Sequence, residues 1–548
     1  MSDAEVPTPT IADHVVEALR LAGCDTLFCL PGVQNDDFFD RLRDADDITA
    51  LVTRHEQGAA YMAMGAAQVT GRPAACSVVP GPGLLNASAA LNSAYWSNAR
   101  VFGVIGEIPT FAQGRGFGVL HELPDQHAIL RQLTKHAALL DDASTAVDEL
   151  QRALDAVVSG RPRPVTVETP VNRWRTPAPG ALVAPAPTTP TIDEDALDRA
   201  VAAIRTAERP LIVVGGGAQD AGAEVTELAE LIQAPVTTRR MGHGVIPTTH
   251  PLFAHLPMGH RLWASADVVI GIGSRMEWPL MQWGTDDDLT IVKIDIDPAE
   301  VDRHDVGTIG VVGDAAAVCR GLVDALAADG RRPDRADEVA SLRHQYEADL
   351  AVLQPQLDHV AALRDVMPDD AVLVEDVTQI GFASHLMFDF RAPRTFLSSG
   401  PAGTLGAGYA HALGAQHALQ REGRRAVAVL GDGGFLFTGN ELATAVQHDI
   451  HLVAIVYNDG AYGNVKRMQE QKFGADRTIA STLRNPDFVA FARSFGAVGM
   501  HAADPHELRI RLDEAFSIDA PVVIEAAAGP MPDPWPFFLR GPARAAGR

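Results

Sequence analysis

An α/β chain built from three doubly wound parallel-sheet domains is predicted from three observations. Short apolar runs alternate with helical patterns from end to end, which is the signature of strands joined by crossover helices. Residues 426–463 contain a complete strand–helix–strand unit bounded by glycine-rich turns. A Pro/Ala/Thr-rich stretch at 174–192 breaks the alternation as an extended linker does. Domains are expected at 1–180, 190–335 and 355–535.

Composition narrows the function classes. The chain has 548 residues, 47% of them hydrophobic and 21% charged, enough to bury large cores. A net charge of −25 argues against nucleic acid, which requires basic surface. No apolar run approaches membrane-spanning length, and the acidic, polar start Met1 to Thr10 is unlike a signal peptide, so no membrane partner is expected and a cytoplasmic enzyme is the default. Cys24, Cys29, Cys76 and Cys319 form no CxxC pair, which excludes a redox motif or zinc site of that type.

The N-terminal region opens with a helix, Ile11 to Ala22, and a strand, Thr26 to Leu30, ending in Pro31-Gly32-Val33. A strand from Ile48 to Thr53 ends in Arg54-His55-Glu56, and an Ala-rich helix follows from Gln57. Glu56 thus occupies a strand-to-helix junction, where an acid is fixed and buried. The strand Ala74 to Val79 runs into Pro80-Gly81-Pro82-Gly83 and a helix, Leu85 to Tyr95. Val101 to Ile105 ends in Gly106-Glu107. A Gly-rich loop, Gln113 to Gly118, precedes His121-Glu122, candidate acid/base residues because His titrates near neutral pH. A solvated surface pair is the alternative. Pro164 to Thr169 is a further strand.

The middle region repeats the alternation at Leu211 to Val214, Pro235 to Thr238, Val268 to Ile272 and Ile291 to Ile296. Gly215-Gly216-Gly217 follows a strand, but Asp220 stands where GxGxxG needs its last glycine, so a plain turn is expected. The charged stretch 331–350 reads as a solvated connector. In the third region the strand Val372 to Glu375 precedes Asp376-Val377-Thr378-Gln379, and a glycine run follows at Ser398 to Gly408. In the 426–463 unit, the strand Ala426 to Leu430 ends in Gly431-Asp432-Gly433-Gly434. Thr438 and Glu441 have capping-box spacing, and the strand Leu452 to Tyr457 ends in Asn458-Asp459-Gly460. Parallel strands put Asp432 and Asp459 on one sheet edge, where ligands of such sheets bind. Paired carboxylates beside bare glycine backbone suit a divalent cation and a phosphate. Lys466 to Asp476 reads as a cover over this edge; the Pro- and aromatic-rich tail from Pro530 either folds over the mouth of the site or stays disordered.

The motif GDG followed one unit later by Asn-Asp resembles the diphosphate-binding signature of thiamine-diphosphate enzymes, and Arg54 to Ala63 resembles their pyrimidine-binding domain. Carried over by that resemblance, Mg²⁺ takes Asp432, Asp459 and the Ala461 carbonyl, with Asn458 as the weaker alternative to Asp459. Gly433 and Gly434 approach the diphosphate, and Thr378 and Gln379 contact its oxygens. The Gly403 carbonyl meets the 4′-amino group, Leu405 bends the cofactor, and Glu56 hydrogen-bonds N1′ of the pyrimidine. Ser77 to Asn86 resembles the SGPG-x-x-N turn of acetolactate synthases, and Glu122 aligns with a Gln of theirs. The FAD-binding members carry a second arginine after the equivalent of Arg275; Arg275-Met276-Glu277-Trp278-Pro279 does not. FAD is therefore not expected, and the central domain is left empty or open to another nucleotide. The resemblance implies an acetolactate-synthase-like C–C lyase/ligase acting on a 2-oxo acid, assembled as a homodimer or homotetramer. A 2-oxo-acid decarboxylase like benzoylformate decarboxylase is the alternative, although Ser77 and Val33 replace a His and a Ser of that enzyme. A non-catalytic binding protein retaining the fold is the third reading.

Overall fold

The computed structural model describes residues 8–303 and 308–544. Most of the acidic N-terminal stretch and the last four residues of the basic tail lie outside that range. Three six-stranded sheets organise the chain, all parallel. The first contains β1 (Thr26–Cys29), β2 (Thr49–Val52), β3 (Ala74–Val78), β4 (Val101–Glu107), β5 (His136–Leu139) and β6 (Val165–Pro170), in the order β2-β1-β3-β4-β6-β5. The second contains β7 (Pro210–Val214), β8 (Val236–Thr238), β9 (Phe253–Ala254), β10 (Val268–Ile272), β11 (Thr290–Asp295) and β12 (Thr308–Val312), in the order β12-β11-β10-β7-β8-β9. The third contains β13 (Val372–Glu375), β14 (Phe396–Ser398), β15 (Ala426–Gly431), β16 (Val453–Asn458), β17 (Val498–Ala502) and β18 (Val522–Ala527), in the order β14-β13-β15-β16-β18-β17. The predicted α/β class is what the chain adopts. The first and third sheets share one strand order, and each reverses direction between its first and third strands, where a crevice opens.

One hydrophobic core runs between these two sheets. Its centre is a helix pair, Glu56–Thr70 against Ala407–Gln420, with nearly every residue of both buried. Such all-round burial explains why both are Ala- and Gly-rich and carry no polar face. Their backbones touch: a Cβ on Gly65 would stand 2.0 Å from the His411 carbonyl oxygen, and one on Gly414 1.9 Å from that of Met62.

Two local expectations are corrected. The charged stretch at 331–350 is not a solvated connector: its helix, Ala336–Leu350, buries Val339, Tyr346 and Leu350, one stripe at helical spacing, against the second core. The Tyr346 hydroxyl donates to the Leu386 carbonyl at 2.7 Å, which ties the second region to the third. Thr438 and Glu441 do not form a capping box. The helix begins earlier, at Asp432–Thr438, and a short 3₁₀ turn at Gly439–Glu441 leads into Leu442–Gln447. Both side chains have tertiary partners, given below. The tail folds back: Trp535 Nε1 donates to Asn464 Oδ1 at 2.9 Å, and Arg544 pairs with Asp286 at 2.7 Å. All four cysteines are free and buried.

Candidate active site

Asp432 leaves β15 as the first residue of its helix and is almost fully buried. Its Oδ1 accepts from the Gly433 amide at 2.8 Å, and its Oδ2 from the Gly460 amide at 2.9 Å and Asn485 Nδ2 at 2.5 Å. Burial lifts its pKa above the ordinary range, and these donors oppose the rise. Asp459 follows β16; its Oδ1 accepts from the Ala461 amide at 3.0 Å. Its pKa is raised by burial and then by the charge of Asp432, although one flank of the residue stays exposed. The two carboxylates therefore meet at one sheet edge, as the βαβ spacing requires. Asn458 is differently placed: its Oδ1 accepts from Asn485 and Gly460, and its Nδ2 donates to Glu525 at 2.7 Å.

Around this pair the backbone lies bare. Gly433 and Gly434 are buried, with no room for a Cβ against the Tyr462 ring and Asp376 Oδ2 respectively. Gly403 is exposed at φ +59°, with only the Pro401 carbonyl oxygen near where a Cβ would stand. Leu405 beside it is half-buried. Thr378 caps the helix Gln379–Met387, its hydroxyl oxygen accepting from the Gly381 amide at 2.8 Å. The Gln379 amide oxygen accepts from Arg467, on the helix Gly463–Phe473 that borders this edge where the cover is expected.

Two residues here have no role in the sequence reading. Asp376, at the end of β13, accepts from the amides of Val377, Gly406 and Gly408, and burial pushes its pKa up to about 6. It pins the glycine run that carries Gly403 and Leu405. Asn485 bridges Asp432 and Asn458 from a loop otherwise recognisable only by its Asn-Pro turn.

In the first sheet, Glu56 begins its helix with the side chain 12% exposed, and its Oε2 accepts from Asn86 Nδ2 at 3.0 Å. Neither that bond nor its 3.9 Å approach to His55 Nδ1 reaches the third sheet. His121 sits at φ +70°, its carbonyl against Gly81, with Nδ1 buried and without a partner. The Glu122 carboxylate closes a local turn by accepting from the Val119 amide at 2.8 Å. Behind this loop, Gln126 accepts from the Gly81 amide and donates to Gly106 O and Glu168 Oε1. Glu107 lies against Glu168 and is pushed up to about 8, mainly by burial and then by its own hydrogen bond with Glu168.

A second cleft of about 330 Å³ lies among the three regions, lined by Gly216, Arg239, Arg240, Arg275 and Arg394, and neither Glu56 nor the Asp432–Asp459 pair lines it. Arg275 stacks over the Trp96 ring at 5.7 Å, and Arg394 pairs with both oxygens of Asp220. Among the described residues no cluster of three or more His, Cys, Asp or Glu side chains could hold a metal alone, so any cation at Asp432 and Asp459 needs further oxygens.

Comparison with known proteins decides the family. Residues 9–129 match the N-terminal TPP binding domain of thiamine pyrophosphate enzymes, 197–322 their central domain and 376–526 their C-terminal TPP binding domain. The chain belongs to the thiamine pyrophosphate enzyme family. One relative, a "probable 2-ketoarginine decarboxylase" of Pseudomonas aeruginosa, is 33% identical over 535 residues, covering 94% of each chain. The acetolactate synthase isozyme 3 large subunit of Escherichia coli is 29% identical over 541 residues, 92% of each chain. A "probable acetolactate synthase large subunit" of Methanocaldococcus jannaschii is 29% identical over 557 residues, 95% of this chain and 92% of its own. The three family matches fall one on each sheet, so this is a thiamine-pyrophosphate-type enzyme related to both synthases and a decarboxylase.

Proposed function

We propose that the protein is a thiamine-diphosphate- and Mg²⁺-dependent C–C lyase/ligase acting on a 2-oxo acid, in the manner of acetolactate synthases. The observation that carries this reading is the Asp432–Asp459 pair. Two acids, each raised by burial and the second also by the first, lie at one edge beside bare glycine backbone. A Mg²⁺ ion would remove that repulsion, and two carboxylates, the Ala461 carbonyl and diphosphate oxygens make the all-oxygen set it favours. The donor set therefore fits the metal. Asp459 is preferred to Asn458 because the Asn458 oxygen already has two donors.

Bound thiamine diphosphate supplies a carbon nucleophile for the keto carbon and an electron sink for loss of CO₂. The residues of the chain do the rest. The Thr378 hydroxyl has used its oxygen on Gly381, leaving its proton for a diphosphate oxygen. With its oxygen on Arg467, Gln379 directs its NH₂ group the same way. When the cofactor is bound, the Gly403 carbonyl would accept from its 4′-amino group, and Leu405 would support its bend. Glu56 holds the proton at N1′, with Asn86 fixing its other oxygen. His121 and Glu122 are the acid/base candidates on the loop assigned to substrate, with the Glu122 carboxylate holding that loop's turn.

Glu56 and Asp432 serve one cofactor when Glu56 comes from a second copy, so we propose at least a homodimer, with a homotetramer as the larger form. Domain limits of 1–180, 190–335 and 355–535 and a cytoplasmic setting belong to the same proposal. Flavin is left out of it, because no second arginine follows Arg275 closely in the sequence. Decarboxylation without ligation is the second reading, favoured by the 33% identical relative named a 2-ketoarginine decarboxylase.

The near-ultraviolet circular dichroism of added thiamine diphosphate, with and without Mg²⁺, tests cofactor binding. Glu56→Gln is expected to abolish deuterium exchange at cofactor C2 while sparing most of the binding; wild-type exchange in that variant refutes the role of Glu56. A screen of 2-oxo acids for CO₂ release, with products identified by mass spectrometry, separates synthase from decarboxylase.

A further inference from the structure

Thr438 and Glu441 reach in two directions. Thr438 Oγ1 donates to the Gly406 carbonyl at 2.8 Å, in the glycine run beside Leu405. Glu441 is fully buried, and its two oxygens accept from the Arg54 amide at 3.1 and 3.0 Å. The His55 amide adds a further bond, and Thr444 Oγ1 donates to Oε2 at 2.5 Å. The backbone amides just ahead of Glu56 are thus closed by a carboxylate from the third region. A buried negative charge there satisfies donors the helix itself cannot pair and complements its dipole. Gly58 makes room: a Cβ on it would stand 2.3 Å from Glu441 Oε1. The seam continues with Arg54 NH2 donating to Gln447 at 2.5 Å and His448 Nε2 meeting the Val52 carbonyl at 3.2 Å.

We propose that Glu441 is a positioning residue for Glu56, fixing the strand-to-helix junction that aims the acid at the cofactor ring. This rests on the role given to Glu56 above. Because Thr438 holds the Gly406 carbonyl three residues earlier, one segment sets both the ring-binding acid and the glycine run. Where Glu56 serves a cofactor held by a second copy, that segment joins two active sites.

The test uses the full chain carrying Glu441→Gln, with Gly58→Ala as the second variant. Ala is the better helix former, so Gly58→Ala displaces the carboxylate without weakening helix propensity. Hydrogen–deuterium exchange of the peptide from Leu51 to Ala60 in the cofactor-free protein reads the clamp directly. Both variants are expected to exchange this peptide faster. With thiamine diphosphate and Mg²⁺ added, C2 deuterium exchange is expected to fall about tenfold to a hundredfold, as for small misplacements of a reacting group. Cofactor affinity should stay within about threefold, the split of a group that orients rather than binds. A peptide that stays protected in both variants, or wild-type C2 exchange once it has loosened, overturns the proposal. Wild-type C2 exchange in Glu56→Gln defeats the functional reading instead and leaves the peptide result standing.

Discussion

Asp432 accepts from two backbone amides and Asn485, yet burial still holds it above its ordinary pKa, and burial with the charge of Asp432 does the same to Asp459. Removing one of the charges should show what the pair is for. Asp432→Asn is expected to weaken Mg²⁺ binding by more than the roughly 10–100-fold seen when only a supporting partner of a metal ligand is lost. Asp459→Asn should cost less, since an amide oxygen still ligates, and Asn458→Ala least. Titration of Mg²⁺ against the dichroism of bound cofactor measures all three; a larger loss at Asn458 than at Asp459 would reverse the ligand choice. A second residue-scale prediction concerns Glu107. Its folded pKa, about 8, lies above the unfolded value near 4.5, so the folded chain keeps a proton that the unfolded chain releases. Its stabilising contribution is full below about pH 4.5, falls as pH rises and is gone above about 8. Wild-type melting temperature should therefore drop more between pH 6 and 8.5 than that of Glu107→Gln, in which no proton is at stake. Parallel curves would show that Glu107 is already ionised at pH 6. The placement of Asp432, Asp459 and Glu56 was legible in the chain because each follows an apolar run at a turn. Asp376 and Asn485 were not. The first acts through amides of a loop distant in sequence, and the second arrives from a segment with no periodicity.

Element by element, interior strands announce themselves and edges do not. β5, β9, β12, β14 and β17 follow no expected run, and each lies at the edge of its sheet. An edge strand has one neighbour and one covered side, so it tolerates short, mixed sequences such as His-Ala-Ala-Leu in β5. Two strands break this rule: β2, an edge strand that the run Ile48 to Thr53 announces, and β18, an interior strand with no predicted run. The Thr438/Glu441 spacing misleads for a related reason: the same two side-chain types serve a local cap or a distant backbone equally well, and only tertiary packing chooses. The tightest element contact is the helix pair at Gly65 and Gly414. Gly65→Ala puts a methyl carbon against a carbonyl oxygen that belongs to another helix and has nowhere to retreat. The cost is expected at or above the upper part of the roughly 1–3 kcal/mol range for overpacking, read by chemical denaturation. A neutral result would mean that the two helices separate more easily than their backbone contact implies.

At the scale of the whole molecule, the first and third sheets repeat one strand order and share a core, while the second has the order of a dinucleotide-binding sheet. The alternation of runs and helices foretold three such units, but not that the outer two are fused through their helices. Light scattering of the purified protein should give a mass of two or four chains; a stable monomer that binds cofactor would overturn the shared-site arrangement. Among the described residues no helix is long and apolar enough to cross a membrane.

The backbone-to-backbone joint at Gly65 and Gly414 bears on what the covalent thread between the first and second regions has to do. Residues 181–190 have no regular structure and add little to that joint. A protease nick there should leave both fragments travelling together on gel filtration. By the same logic, the N-terminal piece could be translated from a separate message and still find its place.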